Sequence, residues 1–569
     1  MNIEEVLKYA PSYSMAEEGE DDESEANETN HHFNKKRKID SAGTSKTFNH
    51  GLSVVDIDKI IEDSDRNEVK EVNENDLKRL ISLFERRLNK NQEMRIKHSD
   101  NPSKFMDSEL ELFDTIKEMH TLSTHPALYE FFINQNTVPK LLGLLSHENT
   151  DIACAVVELI EELTDLEDIQ EIDQVGILID TLIDHQIVLL LVNNMERLDE
   201  KVKEESEGIH NSLEIIENLT DYNPKLGKDS KQLLSWLLKK LKSKPQYNAN
   251  KLYSSEILNI LLQNSEENRI ILGTLKGIDI LLHVAAYYKR HDANSEDEEE
   301  YMANLFNCIC SSLQSCEKNR ELFYNGEGLE LMNLILKEKR PKESNSEVRV
   351  FACKVLNHCL STEKMDKLLA MCCDKFIEIL GLRVLMPIFQ KPNSIIGHRR
   401  KKRQSAIDEV EEHTISILLS LLRNCKPDNV KRIMNKFVEL NMVKTERLVE
   451  LFLKYTERLT LLEDRLRSEG YDVKDEETRE VLYPRLMEGG LFQLQLICHT
   501  ILIISNHSNI IGQFENQQYT VKERIHKLLN MYKNAQTNHL DTIRSISIDY
   551  SKEKNEIEAA ELVELVKLF

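Results

Sequence analysis

Three short stretches of the sequence, GIDILL (277–282), GLELM (328–332) and GLRVL (381–385), begin with a glycine and continue as an apolar helix. Their starts lie 51 and 53 residues apart. Similar helix starts occur earlier in the chain at intervals of about the same length, near Val138, Ile187 and Gln232. A period of this length predicts helical units that stack along one axis, because a single unit cannot bury its own apolar faces.

A second marker advances with the first. It is a polar residue between apolar ones near the end of a later helix, and it occurs at Glu162, Asn218, Asn259, Asn307, Asn357 and Ser420. Two markers that move together favour one structural unit repeated about six times over residues 74–455. Two or three helices per unit are typical of the armadillo and HEAT classes. The sequence therefore predicts an all-α, superhelical repeat array of the armadillo or HEAT type.

Composition supports this reading and excludes other classes. Only 17 glycines and 11 prolines occur in 569 residues, which disfavours turn-rich β-sandwiches and glycine-rich nucleotide-binding folds. The formal net charge of −25 argues against direct binding of nucleic acid by the body of the protein. The run 491–505 is shorter than the ~20 residues of a membrane span. No signal peptide is visible at the start of the sequence.

Catalysis, metals and cofactors find no support in the sequence. Most of the ten cysteines fall within apolar helical stretches, where thiols behave as small hydrophobes. Cys308, Cys310 and Cys316 have no Cys/His pair at zinc-finger spacing beside them. Walker A, G-x-S-x-G and H-E-x-x-H motifs do not occur. We therefore expect no enzyme activity, no cofactor and a reducing compartment.

Residues 1–73 differ from the rest of the chain. They hold 18 acidic and 9 basic residues with few apolar ones, a composition typical of disorder. A basic run within them resembles a nuclear-localisation signal, at Lys35, Lys36, Arg37 and Lys38. A second basic run could be another such signal, part of a basophilic kinase site at Ser405 or a solvated loop, at Arg399, Arg400, Lys401, Lys402 and Arg403. We expect three regions: this tail, the array at 74–455, and a helical region at 456–569 that packs on the array.

Two sets of residues could bind a partner. The first is the asparagine ladder of Asn218, Asn259, Asn307 and Asn357, whose amides could hydrogen-bond an extended peptide; the alternative is that they satisfy backbone groups at helix ends. The second is an acidic cluster that includes Glu158, Glu161 and Glu162 and could attract Lys or Arg segments; the alternative is an ordinary solvated helix face.

An importin-type cargo adaptor is the alternative function. Importin-type grooves also carry tryptophan four residues before each asparagine. Here the corresponding positions are Glu214, Ser255, Ala303 and Cys353. The sequence therefore disfavours pockets that hold lysine side chains between indole rings.

Several long stretches, among them residues 90–120, 143–165, 196–219, 248–269 and 326–339, closely resemble the beta-catenin-like protein 1 family over roughly residues 75–540. The resemblance implies an armadillo array with capping helices at both ends, a nuclear location and no catalytic activity. It further implies association with the spliceosome through the complex around the Prp-nineteen ubiquitin ligase, including a Myb-related splicing factor. The implied ligands are basic, nuclear-localisation-type segments of splicing factors, and homodimers are known in the family.

Overall fold

The computed structural model describes residues 73–165, 172–223, 230–244, 246–338, 347–361, 366–396, 403–471, 476–507, 520–531, 539–552 and 554–569. Every regular element within these ranges is a helix, so the all-α prediction is confirmed. The chain divides into Met1–Lys78 and Arg79–Phe569. Apart from the first residues of the first helix, the described helices belong to the second of these units.

Two helices precede the array, α1 (Glu74–Lys97) and α2 (Met106–Glu118). The first two groups of three helices are α3 (Tyr129–Asn134), α4 (Val138–Leu144), α5 (Thr150–Thr164), α6 (Ile172–Asp184), α7 (Ile187–Met195) and α8 (Lys203–Tyr222). The third group has two described helices, α9 (Ser230–Lys242) and α10 (Ala249–Asn264).

Three further groups complete the array. They are α11 (Glu266–Thr274), α12 (Gly277–Ala285), α13 (Glu296–Leu313), α14 (Glu317–Asn325), α15 (Gly328–Lys337), α16 (Val348–Leu360), α17 (Lys367–Glu378), α18 (Leu382–Gln390) and α19 (Arg403–Asn424). The helices of the C-terminal part are α20 (Pro427–Ser468), α21 (Glu476–Glu488), α22 (Leu491–His507), α23 (Val521–Met531), α24 (His539–Lys552) and α25 (Glu556–Leu568).

The last helix of each group packs against the last helix of the next, and we call these the ladder helices: α5, α8, α10, α13, α16 and α19. The ladder is extended by α2, which packs on α5, and by α22, which packs on α19. Several ladder helices begin at a side-chain cap: Asn149 accepts from the backbone N–H of Asp151, and Ser295 accepts from that of Glu298. These caps satisfy orphan N–H groups and fix where the helices start.

The glycines that mark the sequence repeat lie at sharp joints between the first two helices of a group. Gly277 and Gly328 are the first residues of α12 and α15, and Gly381 comes directly before α18. A Cβ atom on Gly328 would come within 2.5 Å of the buried ring of Phe323, five residues earlier. The glycine therefore lets the second helix turn back closely onto the first.

A left-handed backbone conformation recurs next to these joints. Lys276 (φ 58°), Glu327 (φ 59°) and Leu380 (φ 64°) each come directly before one of the three glycines. Gln186 (φ 58°), before α7, has the same conformation although no glycine follows it. The repeat is thus encoded in the backbone even where the glycine marker is missing from the sequence.

The long helix α20 crosses the region boundary predicted at residue 455. Its backbone leaves helical geometry at Glu439–Met442, where Leu440, Asn441 and Met442 have positive φ. The helix is therefore bent between its two halves. Beyond it, α22 packs against both α19 and α20, so the ladder of stacked helices continues past residue 456.

Candidate protein-interaction groove

The four asparagines of the predicted ladder lie on four consecutive ladder helices, α8, α10, α13 and α16, and all are half-buried. Three of them bond a side chain of the next ladder helix. Ser311 Oγ donates to Asn259 Oδ1 at 3.0 Å, Lys354 Nζ donates to Asn307 Oδ1 at 3.0 Å, and Asn357 Nδ2 lies 3.2 Å from His413 Nδ1.

Asn218 differs in direction, because its Nδ2 donates to Thr164 Oγ1 of the preceding ladder helix at 3.4 Å. One role of these amides is therefore to tie neighbouring units together, which the sequence reading had not considered. A primary amide offers two donors and two acceptor lone pairs, so one bond leaves further hydrogen-bonding capacity. That capacity is what an extended peptide would use, and the ladder's binding role stays a prediction.

The three predicted acidic residues lie on α5, and each already interacts with another group of the protein. Glu158 forms an ion pair with Lys117 of α2, and Glu162 lies 2.7 Å from His120 Nδ1. Glu161 is half-buried. The ammonium group of Lys117 thus offsets part of the negative charge of this cluster. The sequence did not reveal that α2, which carries Lys117, packs next to α5.

A cleft of about 980 Å³ opens between α2, α5 and α8, beside Glu158. Five carboxylates line it, from Glu109, Asp151, Glu158, Glu204 and Glu207. Lys117 is the one ammonium group among the lining residues, and it is paired with Glu158. From outside the lining, Arg95 pairs with Glu109 and Lys203 pairs with Glu207, which leaves two of the five carboxylates without an ion pair to a cation among the described residues. The rim of the cleft therefore carries a net negative charge, as a site for cations requires.

The floor of this cleft is apolar. Met106 and Leu110 of α2 are 61% and 60% exposed, and Phe113 and Ile152 lie beside them. Cys154 of α5 lines the same cleft, where a Cβ atom on Gly208 of α8 would come within 2.6 Å of its Sγ. Burial raises the pKa of the Cys154 thiol to about 11, so the thiol is neutral near pH 7.

Sequence reasoning missed this floor. The buried face of α2 contains Leu112 and Ile116. A second apolar stripe is readable at 106, 110 and 113, at helical spacings of four and three. It was the signal that could have revealed the cleft.

Further carboxylates follow along the ladder. Glu214 and Glu217 lie on α8, Glu299 on α13, and Glu412 on α19, all half-buried. Burial raises the pKa of Glu217, and the carboxylates of Asp221 and Glu214 raise it further, although a hydrogen bond from Tyr253 opposes the rise.

The pKa of Glu299 and that of Glu412 are raised by burial in the same way. A bound cation would favour the charged form of each carboxyl. The acidic character of the ladder thus continues beyond the N-terminal cleft.

Other predicted features fall outside what the structure describes or carry no site. Lys35–Lys38 and residues 399–402 lie outside the described residues, while Arg403 is the first residue of α19. Cys308, Cys310 and Cys316 are buried. Across the described ranges, no group of three or more His, Cys, Asp or Glu side chains could hold a metal ion.

No single helix in the described part of the chain has the length and apolar composition of a membrane span. Three pairs of consecutive helices, each joined at a sharp bend, would pass on length and composition if taken together.

Comparison with known proteins identifies relatives of the whole array. The family described as "Catenin-beta-like, Arm-motif containing nuclear" matches residues 55–545. Beta-catenin-like protein 1 of Homo sapiens is 44% identical over 471 residues, which cover 81% of this chain and 79% of that protein.

The Schizosaccharomyces pombe homolog of beta-catenin-like protein 1 is 33% identical over 436 residues, with 76% and 72% covered. A solved structure from work on a phosphorylation switch between cadherin and beta-catenin aligns with a TM-score of 0.49 and 13% identity. That alignment covers 86% of this chain and 88% of the other.

Proposed function

Because the chain belongs to the catenin-beta-like, Arm-motif-containing nuclear family, we propose that it is a non-enzymatic nuclear scaffold associated with the spliceosome. It binds Lys/Arg-rich segments of splicing factors along the acidic side of its ladder helices. Its partners are the splicing factors of the complex around the Prp-nineteen ubiquitin ligase, including a Myb-related factor. The armadillo-like fold underlying this proposal agrees with the family description.

One observation carries the proposal: carboxylates occur on the ladder helices α5, α8, α13 and α19, and begin with the cleft at α2, α5 and α8. Half-buried carboxylates with raised pKa values, such as Glu217, are held in unfavourable surroundings until a cation approaches. A Lys/Arg-rich segment supplies several cations on one extended chain. Electrostatic attraction of this kind speeds encounter and selects basic partners over acidic ones.

The importin-type alternative gains nothing from the structure. The positions that would carry indole platforms hold Glu214, Ser255, Ala303 and Cys353, and Ser255 and Cys353 are buried. Basic side chains have no aromatic walls to lie between at these positions. Recognition by carboxylates, rather than by stacking on tryptophan, is the mode that these residues support.

Nuclear entry is proposed to use the basic runs at 35–38 and 399–403. Fusion of the full chain to a fluorescent protein, with Lys35–Lys38 replaced by alanine in one variant and residues 399–403 in another, tests which run is needed. Nuclear signal that persists when both runs are replaced would contradict this part of the proposal. Homodimer formation stays an expectation from the resemblance.

The partner proposal is tested by affinity purification of the full chain from nuclear extract, followed by mass spectrometry. We expect splicing factors among the enriched proteins. A bait with Asp151→Asn, Glu204→Gln and Glu207→Gln should lose them, because it lacks three cleft carboxylates.

The matched control bait carries Asp428→Asn, Glu450→Gln and Asp464→Asn, which change the net charge equally at sites on α20 that are 95%, 68% and 60% exposed. This bait should retain the partners. Recovery of no splicing factor by the wild-type chain would contradict the proposed association.

A further inference from the structure

We propose that the cleft between α2, α5 and α8 recognises one large apolar side chain of the partner segment, flanked on both sides by Lys or Arg. This inference rests on the proposed function and adds a requirement to it. The ligand would then be a basic segment with a single hydrophobic anchor, and a purely basic run would fit the cleft less well.

The first argument is the exposed floor. Met106 and Leu110 lie one helical turn apart and are both more than half exposed, and Phe113 continues the same stripe. Carboxylates alone would explain recognition of Lys and Arg heads, but they would not explain a stripe of large apolar side chains left open to water. Burying that stripe against a leucine-sized side chain gains free energy that a salt-dependent charge contact cannot supply.

The second argument is the size of the cleft. Gly208 of α8 has no side chain at the point where α8 passes Cys154 of α5, and a Cβ atom there would come within 2.6 Å of Cys154 Sγ. Ala155 and Ile152 form the neighbouring surface. Gly208 thus lets α8 approach α5 closely and closes one side of the cleft, and the open volume of about 980 Å³ beside this contact is large enough for an inserted side chain.

The third argument is the arrangement of charge around the apolar floor. Asp151 on α5 and Glu204 and Glu207 on α8 are exposed at the rim. A segment whose central side chain enters the cleft would place its flanking residues near these carboxylates. Charge complementarity therefore selects Lys or Arg as the neighbours of the anchor.

A lysine stem could also lie on an apolar floor while its ammonium group stays in water. The test must therefore separate a true anchor from a lysine. Three labelled peptides serve, each with the same basic flanks and with Leu, Ala or Lys at the centre, and binding of each to the full chain is measured by fluorescence anisotropy. We expect the Leu peptide to bind about tenfold more tightly than the Ala peptide, and more tightly than the Lys peptide.

One cleft variant and one control variant locate the effect. Met106→Ser with Leu110→Ser should abolish the difference between the Leu and Ala peptides. The control variant, Leu461→Ser with Val481→Ser, removes side chains that are 63% and 77% exposed elsewhere and should keep the difference. Because all four side chains are largely exposed, the variants should fold, and the comparison of peptides on the wild-type chain remains decisive if one does not.

Thiol alkylation gives an independent readout at the site. Cys154 and Cys425 are the two cysteines of the ten that are not fully buried. At alkaline pH, where a small fraction of the high-pKa Cys154 thiol ionises, the Leu peptide should slow alkylation of Cys154 and leave that of Cys425 unchanged. Equal alkylation of Cys154 with and without a saturating peptide would overturn the location.

The outcomes distinguish this inference from the proposed function. If none of the three peptides binds, recognition of basic segments itself is wrong. If all three bind equally well in a salt-dependent way, the scaffold function stands and the anchor is refuted. If sedimentation shows a dimer of the full chain that Met106→Ser with Leu110→Ser converts to monomer, the stripe is a contact between two copies and the inference is overturned.

Discussion

Replacing Gly328 by alanine tests the repeat joint, which defines the units of the array. The added Cβ would lie 2.5–2.6 Å from three ring atoms of Phe323, a ring that is fully buried and cannot swing into solvent. Overpacking of this kind costs about 1–3 kcal/mol. Alanine regains up to ~1 kcal/mol of helix propensity, so we expect a net loss of about 1–2 kcal/mol in the free energy of unfolding.

Gly143→Ala in α4 is the matched control, because a Cβ there meets no atom within 4 Å. The same substitution should stabilise that helix by about 0.5–1 kcal/mol. Since units of an array can unfold separately, peptide-level hydrogen exchange is the assay, read over residues 317–337 for Gly328→Ala and over 138–144 for the control. Exchange in the Gly328→Ala protein as slow as in wild type would refute the close-approach argument.

Three further substitutions probe single features. Leu380→Gly should raise stability by up to ~1 kcal/mol in urea denaturation, because it relieves a positive φ at a 44% exposed residue; Leu461→Gly, within helical α20, should lower it by a similar amount. His499, with a pKa lowered to about 3 by burial, resists protonation when folded, so stability should fall as pH drops below ~6.5. By pH 5 wild type should lose about 2 kcal/mol that His499→Leu does not lose, and identical pH profiles would exclude this role. Asp366→Ala removes both the cap of α17 at Leu369 and the partner 2.6 Å from Arg320; a thermal melt should show a loss of about 3 kcal/mol, and a change below ~0.5 kcal/mol would contradict it.

The repeat could be predicted from the sequence because the residues of each motif that marks a unit lie within a few positions of one another along the chain. Gly277, Gly328 and Gly381 lie at three of the joints where the second helix of a unit turns back closely onto the first, so they show the period directly. The polar marker residues recur because each lies in a ladder helix, and the four asparagines among them contact a side chain of an adjacent ladder helix. Both the apolar periodicity of a helix and the glycine at a turn between helices can be recognised from a few consecutive residues.

The site was only partly readable because its properties depend on distant residues. Glu158 belongs to the acidic cluster, yet its partner Lys117 lies 41 positions away and meets it only when α2 packs on α5. The apolar floor could be read as a second stripe on α2. Whether that stripe stays open depends on where α8 lies, and no local pattern contains that information.

The most direct test of the acidic ladder as a reader of basic segments is the affinity of the full chain for a Lys/Arg-rich peptide. Dissociation constants are measured from about 50 mM to about 300 mM salt, a range over which the Debye screening length becomes markedly shorter. The account requires weaker binding as salt rises. At low salt it requires about a tenfold loss in the Asp151→Asn, Glu204→Gln, Glu207→Gln protein, at ~0.5 kcal/mol per exposed pair. An affinity that does not change with salt and is the same in both proteins would contradict it.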